Sequence, residues 1–203
     1  EAIDQYIELK DGVLSPTTIV DYRRIRRNRL QSLMDVPVKN LMHSVVQQAV
    51  NEDAKAVSPR THRRLSPKSI ANAHGLLSAA IHLVDPDFVL RTTLPAKTKK
   101  IVELPPAKTV LDAVRGTNVE LPVLLASWLS FSMSEIRGIQ ASAIKDGYVT
   151  IKESVVQVEG VAVSKEATKA YERTRRHRLP PYILRLIEQT PAWKAGKGYI
   201  EVR

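Results

Sequence analysis

A chain of 203 residues with 31 basic against 21 acidic side chains carries a net charge of +10, and the first hundred residues hold 16 against 10 while the remainder holds 15 against 11. At roughly 100–150 residues per domain this length suits two small domains, and a positive balance on each is the footprint of a protein that neutralises phosphates along an extended polyanion. The absence of cysteine excludes a disulfide framework, a thiolate metal site and a cysteine nucleophile.

No run approaches the roughly 18 apolar residues of a membrane span, and no charged-then-apolar signal segment opens the chain, so a cytoplasmic protein is expected. His43, His62, His74, His82 and His177 are scattered without ligand spacing, so no metal is expected.

The first half reads as helical, with no strand pattern before about residue 90. A short helix falls near 2–10. Ser15-Pro16 and Ser66-Pro67 each place a capping hydroxyl before a proline that the first helical turn tolerates, so each opens a helix. On the earlier of these, Ile19, Tyr22, Leu30 and Leu33 share a side, with Arg26 and Arg29 near it and their stems suited to covering apolar surface. Another helix is expected near 44–57. The helix from Ser66 carries Ile70, Ala73, Leu77, Ala80, Ile81 and Val84 at helical spacing, and Lys68 and Asn72 begin its opposite face.

Residues 90–106 contain Pro95, Lys97, Lys99, Lys100, Pro105 and Pro106, and the prolines keep this stretch from forming a long helix. It reads as a basic interdomain linker, bounded at 94–104, between domains at 1–93 and 105–203. Beyond it come helices near 107–114, 119–131 and 134–144. Asp146-Gly147 then turns into a strand at Tyr148-Val149-Thr150-Ile151, a second β-rich run spans 155–163, a third strand surrounds 175–179, and a helix covers 181–189. The second half is therefore α+β with a small antiparallel sheet.

Two arginine clusters stand out: Arg23, Arg24, Arg26, Arg27 and Arg29, and then Arg173, Arg175, Arg176 and Arg178 around His177. A guanidinium is permanently charged and donates in a planar fork, which suits phosphate. A basic protein-interaction or RNA-binding domain is an alternative, but two phenylalanines and two tryptophans disfavour the base-stacking surfaces of many single-strand binders.

The segment Leu129-Ser130-Phe131-Ser132-Met133-Ser134-Glu135-Ile136-Arg137-Gly138-Ile139, followed by Asp146-Gly147-Tyr148-Val149-Thr150-Ile151, resembles the first motif of phage integrases, the tyrosine recombinases, and its following strand. Thr168-Lys169-Ala170-Tyr171-Glu172-Arg173, running on through Arg175-Arg176-His177-Arg178-Leu179-Pro180, is similar to the family's lysine-bearing hairpin. Ser66 to Ala80 resembles the last long helix of its core-binding domain. The resemblance covers essentially the whole chain in order. It implies a mainly α protein, with an N-terminal four-helix SAM-like core-binding domain followed by a truncated catalytic domain, closed as a clamp on double-stranded DNA and self-associating there in the intact protein.

Carried over residue by residue, Lys169 matches the lysine that protonates the leaving 5′ oxygen, with Lys165 the alternative in a shifted register, and Glu135 matches a glutamate that orders the site. Where the family has its first catalytic arginine this chain has Ser132. A serine donates one neutral hydrogen bond and cannot neutralise a scissile phosphate. Arg137 lies roughly 500° further round a helix and points elsewhere. The family's His-x-x-Arg segment and nucleophilic tyrosine have no counterpart before Arg203, and Tyr199 reads as a surface or strand residue.

The resemblance thus implies a site-specific recombinase of a mobile element, cleaving through a phosphotyrosine link and needing no cofactor. This chain is expected to be a fragment that binds DNA without cleaving it, or a non-catalytic regulatory DNA-binding protein. Arg23, Arg24, Arg27, Lys68, Asn72, Lys97, Lys99, Lys100, Arg173, Arg175 and Arg176 are the expected DNA contacts.

Overall fold

The computed structural model describes residues 1–59, 61–97, 101–165 and 175–200. Two compact units divide the chain, Glu1–Ile101 and Val102–Arg203.

The first unit is built from α1 (Ala2–Lys10), α2 (Pro16–Asn28), α3 (His43–Lys55) and α4 (Pro67–Val84). Ser66 begins α4 as expected: its Oγ accepts the Ser69 N–H at 3.1 Å, and Pro67 occupies the first turn, where its missing N–H costs nothing. At the start of α2 the Ser15 hydroxyl instead pairs with Thr17 Oγ1 at 2.8 Å. Ile70, Ala73, Leu77, Ala80 and Ile81 form the buried stripe of α4 and meet Ile3 and Ile7 of α1, Ile19 of α2, and Val46 and Val50 of α3. Each fully buried aliphatic side chain contributes about 1.5–3 kcal/mol, so this stripe organises the unit. Val84, expected in the stripe, is the last residue of α4 and lies 52% exposed.

Leu30 and Leu33 reach the core without belonging to α2. The helix ends at Asn28, Leu30 adopts a left-handed conformation (φ 50°), and Leu33 sits in a single 3-10 turn, both leucines buried. The Leu30 N–H donates to Asp53 of α3 at 3.3 Å, which stabilises the break. Gln47 of α3 and the backbone of Thr93 exchange two hydrogen bonds (2.8 and 3.1 Å), and Phe88, Leu90 and Leu94 pack on the same core. Further along, Ile101, Val102 and Leu104 are exposed.

The second unit contains α5 (Ala107–Val114), α6 (Glu120–Leu129) and α7 (Met133–Arg137), then β1 (Ile144–Lys145), β2 (Tyr148–Ile151), β3 (Ser154–Val158), β4 (Val161–Lys165) and β5 (Arg175–Arg178), and finally α8 (Pro181–Glu188) and α9 (Pro191–Lys194). β1, β2 and β5 make an antiparallel sheet in the order β1-β2-β5, with Lys145 opposite Tyr148, Tyr148 opposite Arg178 and Thr150 opposite Arg176. Asp146 and Gly147 close the first hairpin with φ 53° and 74°, the left-handed pair that a two-residue turn with the twist of its strands requires. Val149 and Ile151 point inward onto Leu125, Ile136, Ile183 and Ile187.

Two expectations are corrected here. Residues 155–163 are not one strand. Glu159 and Gly160 (φ 50° and 86°) fold them into the hairpin β3–β4. The helix expected at 134–144 stops at Arg137, and Gly138 beyond it lies against β3, where a Cβ would stand 2.6 Å from the Glu153 carbonyl oxygen. Among the described residues no helix is long and apolar enough to cross a membrane.

Candidate functional site

The turn between α6 and α7 is shaped by two local signals. Ser130 ends α6 in a left-handed conformation (φ 55°), which drops Phe131 into the core, 3% exposed. Ser132 then begins α7 with a reciprocal capping box: its Oγ accepts the Glu135 N–H at 3.4 Å, and Glu135 Oε2 accepts the Ser132 N–H at 2.7 Å. The Ser132 hydroxyl also donates to Glu135 Oε2 at 2.8 Å. Such a box satisfies backbone donors that a helix start leaves open.

Glu135 is buried, and 40 residues later in the chain β5 brings Arg175 to it. Arg175 Nη1 donates to Oε1 at 2.7 Å and Nη2 to Oε2 at 3.2 Å, a two-pronged pair with distinct oxygens. Burial alone would push the Glu135 carboxyl up, but the hydrogen bonds from Arg175 and from the Ser132 N–H and hydroxyl more than offset it and hold the carboxyl at about 2. Arg175 Nε donates to His177 Nε2 at 3.1 Å, and both side chains lie against the Phe131 ring, Arg175 at 5.2 Å and His177 edge-on at 5.1 Å. Ser132, Glu135, Arg175 and His177 therefore form one connected polar network across a buried aromatic.

A second carboxylate organises the base of the β3–β4 hairpin. Glu153 accepts hydrogen bonds from Gln140 Nε2 (2.7 Å), the Ser164 hydroxyl and the Tyr199 hydroxyl. Burial pushes its carboxyl up, and these three donors bring it below the ordinary range. The same contact raises the Tyr199 phenol.

The other expected site residues fall as follows. Lys169 and Arg173 lie outside the described residues, as do Lys99 and Lys100, and Lys165 closes β4 opposite Ser154. Arg176 turns to the opposite face of the sheet from Arg175 and stacks over Tyr148, 4.3 Å from its centroid. Arg23 pairs with Asp11 and Arg24 with Asp21, each at 2.8 Å and exposed, while Arg27, Lys68, Asn72 and Lys97 are exposed. Arg26 is held by Asp4 of α1 at 3.1 Å and acts as an interhelix tie. Sequence reasoning missed the Glu135–Arg175 pair, Glu153 and the close approach at Gly138. The alternation of Arg175 and His177 with Arg176 and Arg178 was the available signal that β5 has one polar edge turned inward.

This arrangement of helical unit, capped α7 and small sheet is an integrase-like fold. It recurs in the Tn1549 transposon integrase in complex with transposon right-end DNA, with a TM-score of 0.70 and 16% identity over 93% of this chain and 63% of that one. The same integrase on circular-intermediate DNA gives a TM-score of 0.67 at 16% identity, covering 93% and 62%. An arginine-to-lysine variant of it, again on circular-intermediate DNA, gives 0.72 at 17% identity, covering 93% and 63%. This chain thus spans less than two thirds of the length of the structures it matches. No family model and no curated protein matches it.

Proposed function

We propose that this chain is the DNA-engaging part of a tyrosine recombinase, with residues 1–93 as a helical core-binding domain, 94–104 as a basic linker and 105–203 as part of a catalytic domain. The observation that carries this reading is the likeness in fold, over 93% of the chain, to an integrase solved on DNA. The order of the motifs around Glu135 and Lys169 and the basic excess of each half support it.

Duplex DNA is the partner, gripped mainly through phosphates. Arg23, Arg24, Arg27, Lys68 and Asn72 serve the helical half, Lys97, Lys99 and Lys100 the linker, and Arg173 and Arg176 the sheet, whereas Arg175, also expected to contact DNA, is turned inward to Glu135 and His177. The ion pairs that Arg23 and Arg24 make are exposed and worth about 1 kcal/mol or less each, so exchanging them for phosphates costs little. In an intact relative, a tyrosine hydroxyl attacks the phosphodiester to form a 3′-phosphotyrosyl link, and Lys169 protonates the leaving 5′ oxygen. Copies of the protein associate on the DNA to exchange strands.

A second reading, a DNA-binding regulator on the same fold without chemistry, is favoured by Ser132. Its hydroxyl is donated inward to Glu135, so the position supplies no cation to a scissile phosphate. A nicked duplex suicide substrate separates the two readings. Duplex binding with a covalent protein–DNA band on a denaturing gel supports the recombinase, and binding without a band supports the regulator. No retention of duplex at all overturns both.

A further inference from the structure

The outer face of the three-stranded sheet, away from the core, carries a set of cations that the Ser132–Glu135–Arg175 network does not use. Inward residues Ile144, Val149 and Ile151 are buried, and the alternation of the strands sends Lys145, Tyr148, Thr150, Arg176 and Arg178 to the other side, with Lys152 following at the end of β2. Lys145, Lys152, Arg176 and Arg178 are exposed, and none of them takes part in an ion pair among the described residues. Lys145, Lys152 and Arg176 line a cleft of about 500 Å³ with Tyr148 and Thr150 between them.

We propose that this face is a second phosphate-binding surface for duplex DNA, separate from the network around Glu135. The inference rests on the reading of the chain as a DNA-binding protein. Three features single out a nucleic-acid backbone. Arg176 already sits over the Tyr148 ring, 4.3 Å from its centroid, so its donors are positioned before a ligand arrives and less side-chain entropy is lost on binding. Residues two apart on a strand are separated by about 6.8 Å, and the phosphates of one DNA strand advance about 3.4 Å along the helix axis per residue. Successive phosphates also turn about the axis, which brings their through-space separation close to that spacing, so Arg176 and Arg178 match neighbouring phosphates. The acidic neighbours do not cancel the field: the carboxylates of Asp146 and Glu153 line the cleft against the three cations Lys145, Lys152 and Arg176, and Arg178 adds a fourth on the same face.

The test uses the full 203-residue chain carrying Lys145→Gln, Lys152→Gln and Arg178→Gln together, three exposed positions whose exchange leaves the core untouched, with unfolding curves to check the fold. Binding to a fluorescent duplex is followed from 50 to 200 mM salt beside wild type and beside a Lys108→Gln/Lys194→Gln control that removes exposed charge from helices. Loss of three phosphate contacts should make the log–log salt slope shallower by about 2.7 and weaken binding about 10–100-fold at 0.1 M salt, with the control close to wild type. An unchanged slope in the triple variant overturns the surface. So does an equal loss in the control, which would make the effect one of net charge. Binding of wild type to polyglutamate that the triple variant loses, with duplex binding intact, would assign the face to an acidic protein and also overturn it. A wild type that binds no duplex defeats the DNA-binding reading itself, whereas wild-type binding with an unaltered triple variant defeats only this surface.

Discussion

Replacing Glu135 by glutamine tests the network that joins α7 to β5. The carboxyl is held at about 2 against an ordinary value of 4.5, and at 1.36 kcal/mol per unit that difference corresponds to about 3 kcal/mol of stabilisation at neutral pH. The substitution also takes the two-pronged Glu135 contact from Arg175, 29% exposed, and removing one partner of a fully buried pair typically costs about 3–5 kcal/mol. Because Arg175 keeps part of its surface in water, the lower part of that range applies, and a loss of about 2–4 kcal/mol is expected. For a unit of this size it moves a urea midpoint by roughly 1–3 M. Trp128 and Trp193, the two tryptophans of the chain, both lie in the second unit, so their fluorescence follows its unfolding alone.

The pH dependence carries a second signature. The folded carboxyl binds its proton less readily than the unfolded one, so its contribution is fully present above about 4.5 and is lost as pH falls from there towards about 2. Wild type should lose stability steeply over that window and Glu135→Gln should lose less. A variant midpoint within about 0.3 M of wild type, or an equally steep acid decline, would refute the assignment of stability to this pair.

Gly138→Ala should destabilise the second unit by about 1–3 kcal/mol, because the new Cβ meets the Glu153 carbonyl at 2.6 Å and overpacking of this kind forces backbone movement; tryptophan-monitored urea curves check it. Burial lowers His74, whose Nε2 has no hydrogen-bond partner among the described residues, so the first unit should weaken as pH falls below 6.5, where the unfolded state takes up the proton more readily. Far-UV circular dichroism at pH 7.5 and 5.5 should record this, and His74→Phe should flatten it. Limited trypsin should cut first within residues 97–100, a stretch rich in lysine between prolines; an initial cut elsewhere counts against a linker there. Ser132→Arg should yield no covalent adduct on a suicide substrate, since one restored charge does not supply a nucleophile. An adduct lost on adding Tyr199→Phe would instead identify Tyr199 as that nucleophile.

The elements with local causes were legible. Ser66-Pro67 opens α4 as its capping chemistry requires, and α5 falls where the proline-rich stretch ends. Asp146-Gly147 makes its hairpin because few other pairs tolerate two left-handed residues. What escaped the sequence depends on distant contacts. Glu135 and Arg175 stand 40 residues apart, and neither spacing nor composition pairs them. The approach of the Glu153 carbonyl to Gly138, just past the end of α7, is likewise a distant contact, and a helical pattern that continues through Ser142 and Ala143 hides the helix end. The β3–β4 hairpin was hidden because valines on both sides of Glu159-Gly160 read as one continuous run. Leu30 and Leu33 fit the stripe of α2 by spacing yet are delivered to the core by a turn, since Asp53 captures the Leu30 N–H. At the candidate site the motif order pointed to Ser132 and Glu135, and their Ser-x-x-Glu spacing was an unused signal for the capping box that the fold shows.

The central claim, that the chain grips duplex DNA through its phosphates, is tested most directly by fluorescence anisotropy of the wild-type chain on a duplex from 50 to 200 mM salt. Six to ten phosphate contacts release enough counterions to give a log–log slope of about −5 to −9 and a loss of affinity of about 10³–10⁵ across that range. That result is expected, whereas no binding at 50 mM salt, or binding whose affinity does not change with salt, would contradict it.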